Sequence, residues 1–152
     1  MVGYGLLGGA IGALVGWGAG AALTYFGVIG ASSAAGTSAA TLRPLLDKLS
    51  QAANYAASKV KNFALSAKHL LNAGGNYAKF NTSSVNTAKS WIQQALRSKN
   101  AVFMPNGTSE TSFRIYTDMG RVIGSKGQTI LKIVLDQGGK IWTAYPVNKI
   151  GG

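Results

Sequence analysis

The stretch SFRIYTDMGRVIGSKGQTILKIVLDQGGKIWTAYPV, Ser112 to Val147, decides the fold. It is a series of short runs rich in β-branched and aromatic residues, punctuated by glycines, which is the pattern of strands joined by tight turns. In SFRIYTD, Phe113, Ile115 and Thr117 alternate with Arg114, Tyr116 and Asp118, and Gly120 ends the run. RVIGSKG offers a second short strand that stops at Gly124 or soon after. QTILKIVLD gives a third, with Leu131, Ile133 and Leu135 on one side and Ile130, Lys132 and Val134 on the other. Both of its sides are mostly apolar, so it is expected to be a central strand. Gln137-Gly138-Gly139 is a hairpin turn into KIWTAYPV, where Ile141, Thr143, Tyr145 and Val147 share one side and Lys140, Trp142 and Ala144 the other.

Upstream of this stretch, Pro105-Asn106-Gly107 is an abrupt turn signal, and the sequence before it has helical spacing. Val85, Ala88, Trp91, Ile92, Ala95 and Leu96 predict a helix from about Val85 to Ser98. A shorter helical piece is expected from Ala64 to Leu71, stopped by Gly74-Gly75, with His69 in its last turn. From Leu42 to Ser66, apolar residues at three- and four-residue spacings from Leu42 to Phe63 predict an amphipathic helix, with Pro44 suited to its first turn. Its Lys48, Lys59 and Lys61 fall mainly off that stripe and read as a solvated face. Two or three helices followed by about four antiparallel strands define an α+β fold, with the helices packed on one face of a small sheet.

A Gly/Ala-rich apolar leader precedes these elements. Residues 3–30 are uncharged, longer than the roughly 20 apolar residues a membrane-spanning helix needs, and Gly8, Gly12, Gly16 and Gly20 recur every fourth position. On a helix they would form one stripe of close approach, a glycine zipper. No basic residue precedes the apolar run, which argues against a signal peptide. A membrane-active hairpin or span, with membrane contact through residues 1–30, and a Gly/Ala spacer are both compatible with this composition. ASSAAGTSAAT, residues 31–41, reads as a linker.

Fifteen Lys plus Arg face four Asp plus Glu, for a formal charge of +11 in 152 residues, and every charge lies between Arg43 and Lys149. Such a balance points to an anionic partner. The absence of cysteine excludes disulfide scaffolds, cysteine nucleophiles and Cys-based metal sites, and one histidine with four scattered acids argues against a metal cluster. The expectation is therefore that no metal and no cofactor takes part.

The chemistry left rests on His69, Lys, Arg and hydroxyls. Histidine is the side chain whose unperturbed charge change falls between pH 5 and 8. RNA carries its own nucleophile, the 2′-hydroxyl, so cleavage to a 2′,3′-cyclic phosphate needs only an acid or base, cationic stabilisation and hydrogen bonds. His69 is then the acid or base, lysines or arginines the electrostatic stabilisers, and Thr143 or Tyr145 the hydroxyl donors. GRVIGSKG lacks the phosphate-loop order of a Lys followed by Ser or Thr and a helix. Ser125 and Lys126, set between glycines, can still bring backbone N–H groups and an ammonium to a phosphodiester.

A glycine-zipper leader, a helical connector and a basic tail containing SAKHLL, FRIYTDMGRVIG, TILKIVLD and GKIWTAYPV resemble the C-terminal toxin region of bacterial polymorphic toxins of the Rhs or contact-dependent inhibition type. The tail resembles the metal-independent ribonuclease toxins of the barnase, EndoU, colicin D and RelE-like group. The organisation expected from this likeness is a leader and linker over residues 1–41, a connecting helix over 42–63 and a ribonuclease toxin domain over 64–150. The resemblance implies cleavage of RNA, often tRNA, in the cytoplasm of a competing bacterium, after delivery as part of a larger secreted or cell-surface toxin. It also implies a cognate immunity protein in the producer. His69 matches the catalytic histidine of such toxins, and Thr143 in TAYP matches a polar residue of the active face. Charge and local position make Lys68, Arg114, Lys126 and Lys132 candidate phosphate contacts. Tyr145 is placed to bond phosphate or stack on a base, or to serve as a core tyrosine. An EndoU-type site would want two histidines, so the single one favours a colicin D or RelE-like variant. Two rival functions remain: a nonenzymatic nucleic-acid-binding module, and a membrane-active toxin acting through the leader.

Overall fold

The computed structural model describes residues 13–15, 24–26, 39–106 and 112–152, and the zipper glycines Gly8, Gly12, Gly16 and Gly20 lie outside them. In chain order the elements are β1 (Ala13–Val15), β2 (Thr24–Phe26), α1 (Ala39–Ser58), α2 (Val85–Leu96), β3 (Val102–Pro105), β4 (Ser112–Asp118), β5 (Ile130–Asp136) and β6 (Ile141–Val147). All pairings are antiparallel and the sheet order is β2-β1-β3-β4-β5-β6. The helices and the four strands β3 to β6 make the molecule α+β. No described helix is long and apolar enough to cross a membrane.

The helices pack on one face of the sheet. Leu49, Ala52, Ala53, Ala56 and Ala57 of α1 and Ala88, Ile92, Ala95 and Leu96 of α2 share one buried cluster with Phe103, Phe113, Ile115, Leu131, Ile133 and Leu135. Those strand residues are the alternate positions of β3, β4 and β5, as the period of two requires. Ser84 caps α2, its Oγ accepting the Thr87 N–H at 3.1 Å. Gln93 Nε2 donates to the Ala57 carbonyl at 2.9 Å and the buried Thr117 Oγ1 to the Ala95 carbonyl at 3.1 Å, so polar groups also tie helix to helix and helix to sheet.

Several expectations need correction. The helix expected to reach Ser66 leaves α geometry at Ser58, passes through a 3-10 turn at Val60–Asn62 and is extended at Phe63. Phe63 and Leu65 both pack on the core, and residues two apart reach the same side only in extended chain. The expected helix over 64–71 is a single 3-10 turn, Ala67–His69. RVIGSKG is a loop whose only strand-like contact is the bridge between Phe80 and Gly124. The fourth strand is instead β3. Its residues Val102 and Phe103 are buried on opposite faces of the sheet, so it shows no alternation to read.

The β5–β6 ladder shifts register between Val134, opposite Thr143, and Leu135, opposite Ile141. Trp142 is the extra residue of this bulge. The shift turns Ile141 and Ala144 both to the helical core, correcting the expectation that Ile141 shares a side with Thr143 and Tyr145.

The β5–β6 turn closes against α1. Gly139 has φ +89°, and a Cβ there would stand 2.7 Å from Tyr55 Cδ2 and 2.9 Å from the Ala52 carbonyl oxygen. Gly139→Ala combines a left-handed backbone with overlap on a helix, so it is expected to cost about 2–4 kcal/mol. A urea midpoint unchanged from the parent protein would overturn this.

Candidate functional site

The sheet face away from the helices carries the sequence candidates. Register places Tyr116, Lys132 and Tyr145 directly opposite one another across β4, β5 and β6, and the next row is Arg114, Val134 and Thr143. Neighbouring strands lie about 4.8 Å apart and same-face residues two positions along a strand about 6.6 Å apart, so the two rows form one surface. The Lys132 ammonium sits 5.4 Å from the Tyr145 ring centroid and 5.9 Å from that of Tyr116. Arg114 Nη1 donates to the Tyr116 hydroxyl at 3.0 Å, and that hydroxyl donates to the Gly152 main-chain oxygen at 2.9 Å. Lys132 Nζ reaches the same oxygen at 3.1 Å.

His69 comes to this face from the loop before α2. Its ring stacks on Tyr145 with centroids 5.2 Å apart and planes 19° from parallel. Its Nδ1 lies 2.6 Å from the Ala78 carbonyl oxygen. A carbonyl can only accept, so Nδ1 carries the proton and the lone pair of the neutral ring is on Nε2. The Phe80 N–H donates to the His69 carbonyl at 2.7 Å, so chain on both sides of Gly75 is pinned at one place. His69 itself is 6% exposed.

Beside the stack lies a cleft of about 390 Å³ lined by Tyr77, Ala78, Lys126, Tyr145 and Lys149 among others. His69 is behind its wall, in contact with two of the lining residues, Ala78 and Tyr145. Lys68 reaches the cleft through Tyr77, its ammonium 4.8 Å from that ring centroid. The fold thus gathers His69, Tyr145 and Lys132 by direct contact, Arg114 through Tyr116, Lys68 through Tyr77, and Lys126 at the rim. Thr143 is on the same strand face, one row from Tyr145. Ser125 is exposed next to Lys126.

The loop 124–128 differs from the expected phosphate cradle. Its amides are already bonded: Gly124 N–H to the Gln128 carbonyl, Ser125 N–H to Lys79, Lys126 N–H to Gln128 Oε1 and Gly127 N–H to Gly124. Only the Ser125 hydroxyl and the Lys126 ammonium can meet a phosphate. A Cβ at Gly124 would collide with the Gln128 side chain, so the glycine serves this self-bonded loop. Two described acids, Asp118 and Asp136, likewise accept turn amides, from Gly120 and from Gly138 and Lys140.

Tyr77, Tyr116 and Lys149 belong to this candidate site and are not among the sequence candidates. Tyr116 had a signal, since it alternates with the core positions of β4 as Arg114 does; Tyr77 and Lys149 sit in irregular chain and had none. Comparison with family models, curated proteins and solved structures gives no match.

Proposed function

We propose that this protein is a metal-independent endoribonuclease of the toxin type, acting on RNA through attack of the 2′-hydroxyl. The observation that carries the reading is the contact of His69 Nδ1 with the Ala78 carbonyl: it places the proton on Nδ1, so that Nε2 is the nitrogen to take a proton from a 2′-hydroxyl or give one to a leaving 5′-oxygen. Lys132 and Arg114 supply positive charge on the same face, where it offsets the charge that develops on the phosphorane. Tyr145 lines the cleft and presents a ring and a hydroxyl to the substrate. Because His69 is 6% exposed, the reading requires the ring edge to meet the scissile phosphate past Tyr145, a contact that tightens on binding. The toxin context, tRNA as target, delivery into a competing cell and a cognate immunity protein belong to the same proposal and rest on the sequence resemblance.

The test is incubation of the protein with total RNA, with and without EDTA, followed by analysis of fragment ends. Discrete fragments ending in 2′,3′-cyclic phosphate in both arms are expected. Intact RNA, or cleavage that EDTA abolishes, would overturn the reading.

The burial of His69 favours one alternative, a nonenzymatic nucleic-acid-binding module in which the imidazole is a bonded structural residue beneath Tyr145. That alternative gives salt-sensitive binding without products. Under either reading, Lys126→Ala should weaken binding of single-stranded RNA and reduce the slope of log affinity against log salt by about 0.7. An unchanged slope would remove Lys126 from the interface.

A further inference from the structure

A second cleft, about 790 Å³, opens where β6 begins. Tyr55 and Lys59 at the end of α1 form one wall, Lys140 and Trp142 of the β5–β6 hairpin the other, and Phe63 lines it as well. Two large rings stay open to solvent there, Tyr55 at 53% and Trp142 at 49%. The Trp142 position follows from the bulge, which takes this residue out of the ladder and re-aims its side chain. Gly139 lets the hairpin approach α1 within backbone contact, so the two walls are held at a fixed spacing.

The polar groups of the cleft carry a sign. The Lys59 ammonium stands 5.7 Å from the Tyr55 ring centroid, and Lys140 is on the opposite wall. The one carboxylate among the lining residues, Asp136, uses Oδ1 to accept the Gly138 and Lys140 amides of the turn. Planar faces for stacking beside cations that follow a phosphate chain are the combination that binds single-stranded nucleic acid without reading its sequence. Trp142, beside α1, and Tyr145, on the face away from the helices, are three residues apart on β6, about 10 Å along the strand, and β6 is the sheet's edge, so one oligonucleotide that passes round this edge can reach both.

We propose that this cleft is a second nucleotide subsite, in which an unpaired base of an RNA strand stacks on Trp142 or Tyr55 while Lys59 and Lys140 hold its phosphates. The inference rests on RNA being the ligand of the His69–Tyr145 face. It assigns the two ends of β6 different work, with the reacting phosphodiester at one and a flanking nucleotide at the other.

The experiment compares the full chain with its Trp142→Ala and Lys59→Ala/Lys140→Ala variants. The probes are a 2′-O-methyl RNA strand of about twelve nucleotides, which has no free 2′-hydroxyl to react, and a 2′-O-methyl dinucleotide. Anisotropy titration should show Trp142→Ala weakening the longer strand by about 10-fold or more and the dinucleotide by less than about 2-fold. Trp142→Phe should recover most of the loss, which a merely destabilised variant would not. Equal affinity of parent and both variants for the longer strand would overturn the subsite and leave the cleft to a protein partner. If the parent binds through Trp142 but total RNA stays intact, the ribonuclease reading fails and the subsite stands. If the parent cleaves RNA and the variants bind and cleave as it does, the subsite alone fails.

Discussion

Replacing His69 by glutamine is expected to lower the rate of RNA cleavage by about 10²- to 10⁴-fold, the usual contribution of a positioned acid or base. Glutamine is the informative substitution because it keeps a polar side chain of similar reach while supplying no group that titrates. His69→Ala removes the bond to Ala78 and the stack on Tyr145 together, so part of its effect would be on folding. A buried bond of this kind contributes about 1 kcal/mol, enough to shift an unfolding midpoint but far less than the expected loss in rate. The two variants therefore separate the roles. If His69 is only structural, both lower the unfolding midpoint and the folded fraction cleaves at the parent rate. Full activity of His69→Gln would sink the catalytic assignment and leave Tyr145, Lys132 and Arg114 to be tested in its place.

The second large effect is on the fold. A fragment of residues 64–152 is expected to lack a cooperative unfolding transition, whereas residues 39–152 should retain one. The sequence suggests a connecting helix at 42–63, and in the fold Leu49, Ala52, Ala53, Ala56, Ala57 and Val60 lie in the same buried cluster as the sheet. Burying Leu49 and Val60 contributes about 3–6 kcal/mol together, against a total stability of about 5–15 kcal/mol for a domain of this size. Removing them would also expose the alanine-lined contact surface and one wall of the Tyr55–Trp142 cleft. Near-ultraviolet circular dichroism and a urea titration of the two fragments decide the matter. A 64–152 fragment with the longer chain's midpoint would show that α1 is dispensable.

Strands β4 and β5 were legible because each presents apolar residues to a helical layer at every second position, whereas the bulge in β6 breaks that period and brings Ile141 and Ala144 to the same side. Helix α2 was legible for the corresponding reason at a period near 3.6. The failures are of another kind. RVIGSKG has strand-like composition, yet Ile123 and Gly124 both direct their N–H groups to the Gln128 carbonyl, and local closure wins over pairing. SAKHLL has helix-like composition, yet Ser66 and Leu70 on either side of the 3-10 turn are extended. The site was legible as a set of chemistries and not as a geometry. His69, Tyr145 and Lys132 could each be named from what the side chain can do. That they touch depends on the register of three strands and on a loop that local sequence does not determine. The expected backbone cradle at 124–127 failed because a glycine-rich sequence says where amides can approach a phosphate, not whether they already have partners.

The stack of His69 on Tyr145 joins positions 76 apart in the chain. Loop closure over that distance carries an entropic cost that is recovered only when β6 has paired with β5. The site is therefore complete only once the last strand has docked, and an unfolded chain has the proposed reactive groups but no site. Under the toxin reading, folding itself would then act as the safety catch: harmless while extended, competent once the last strand docks.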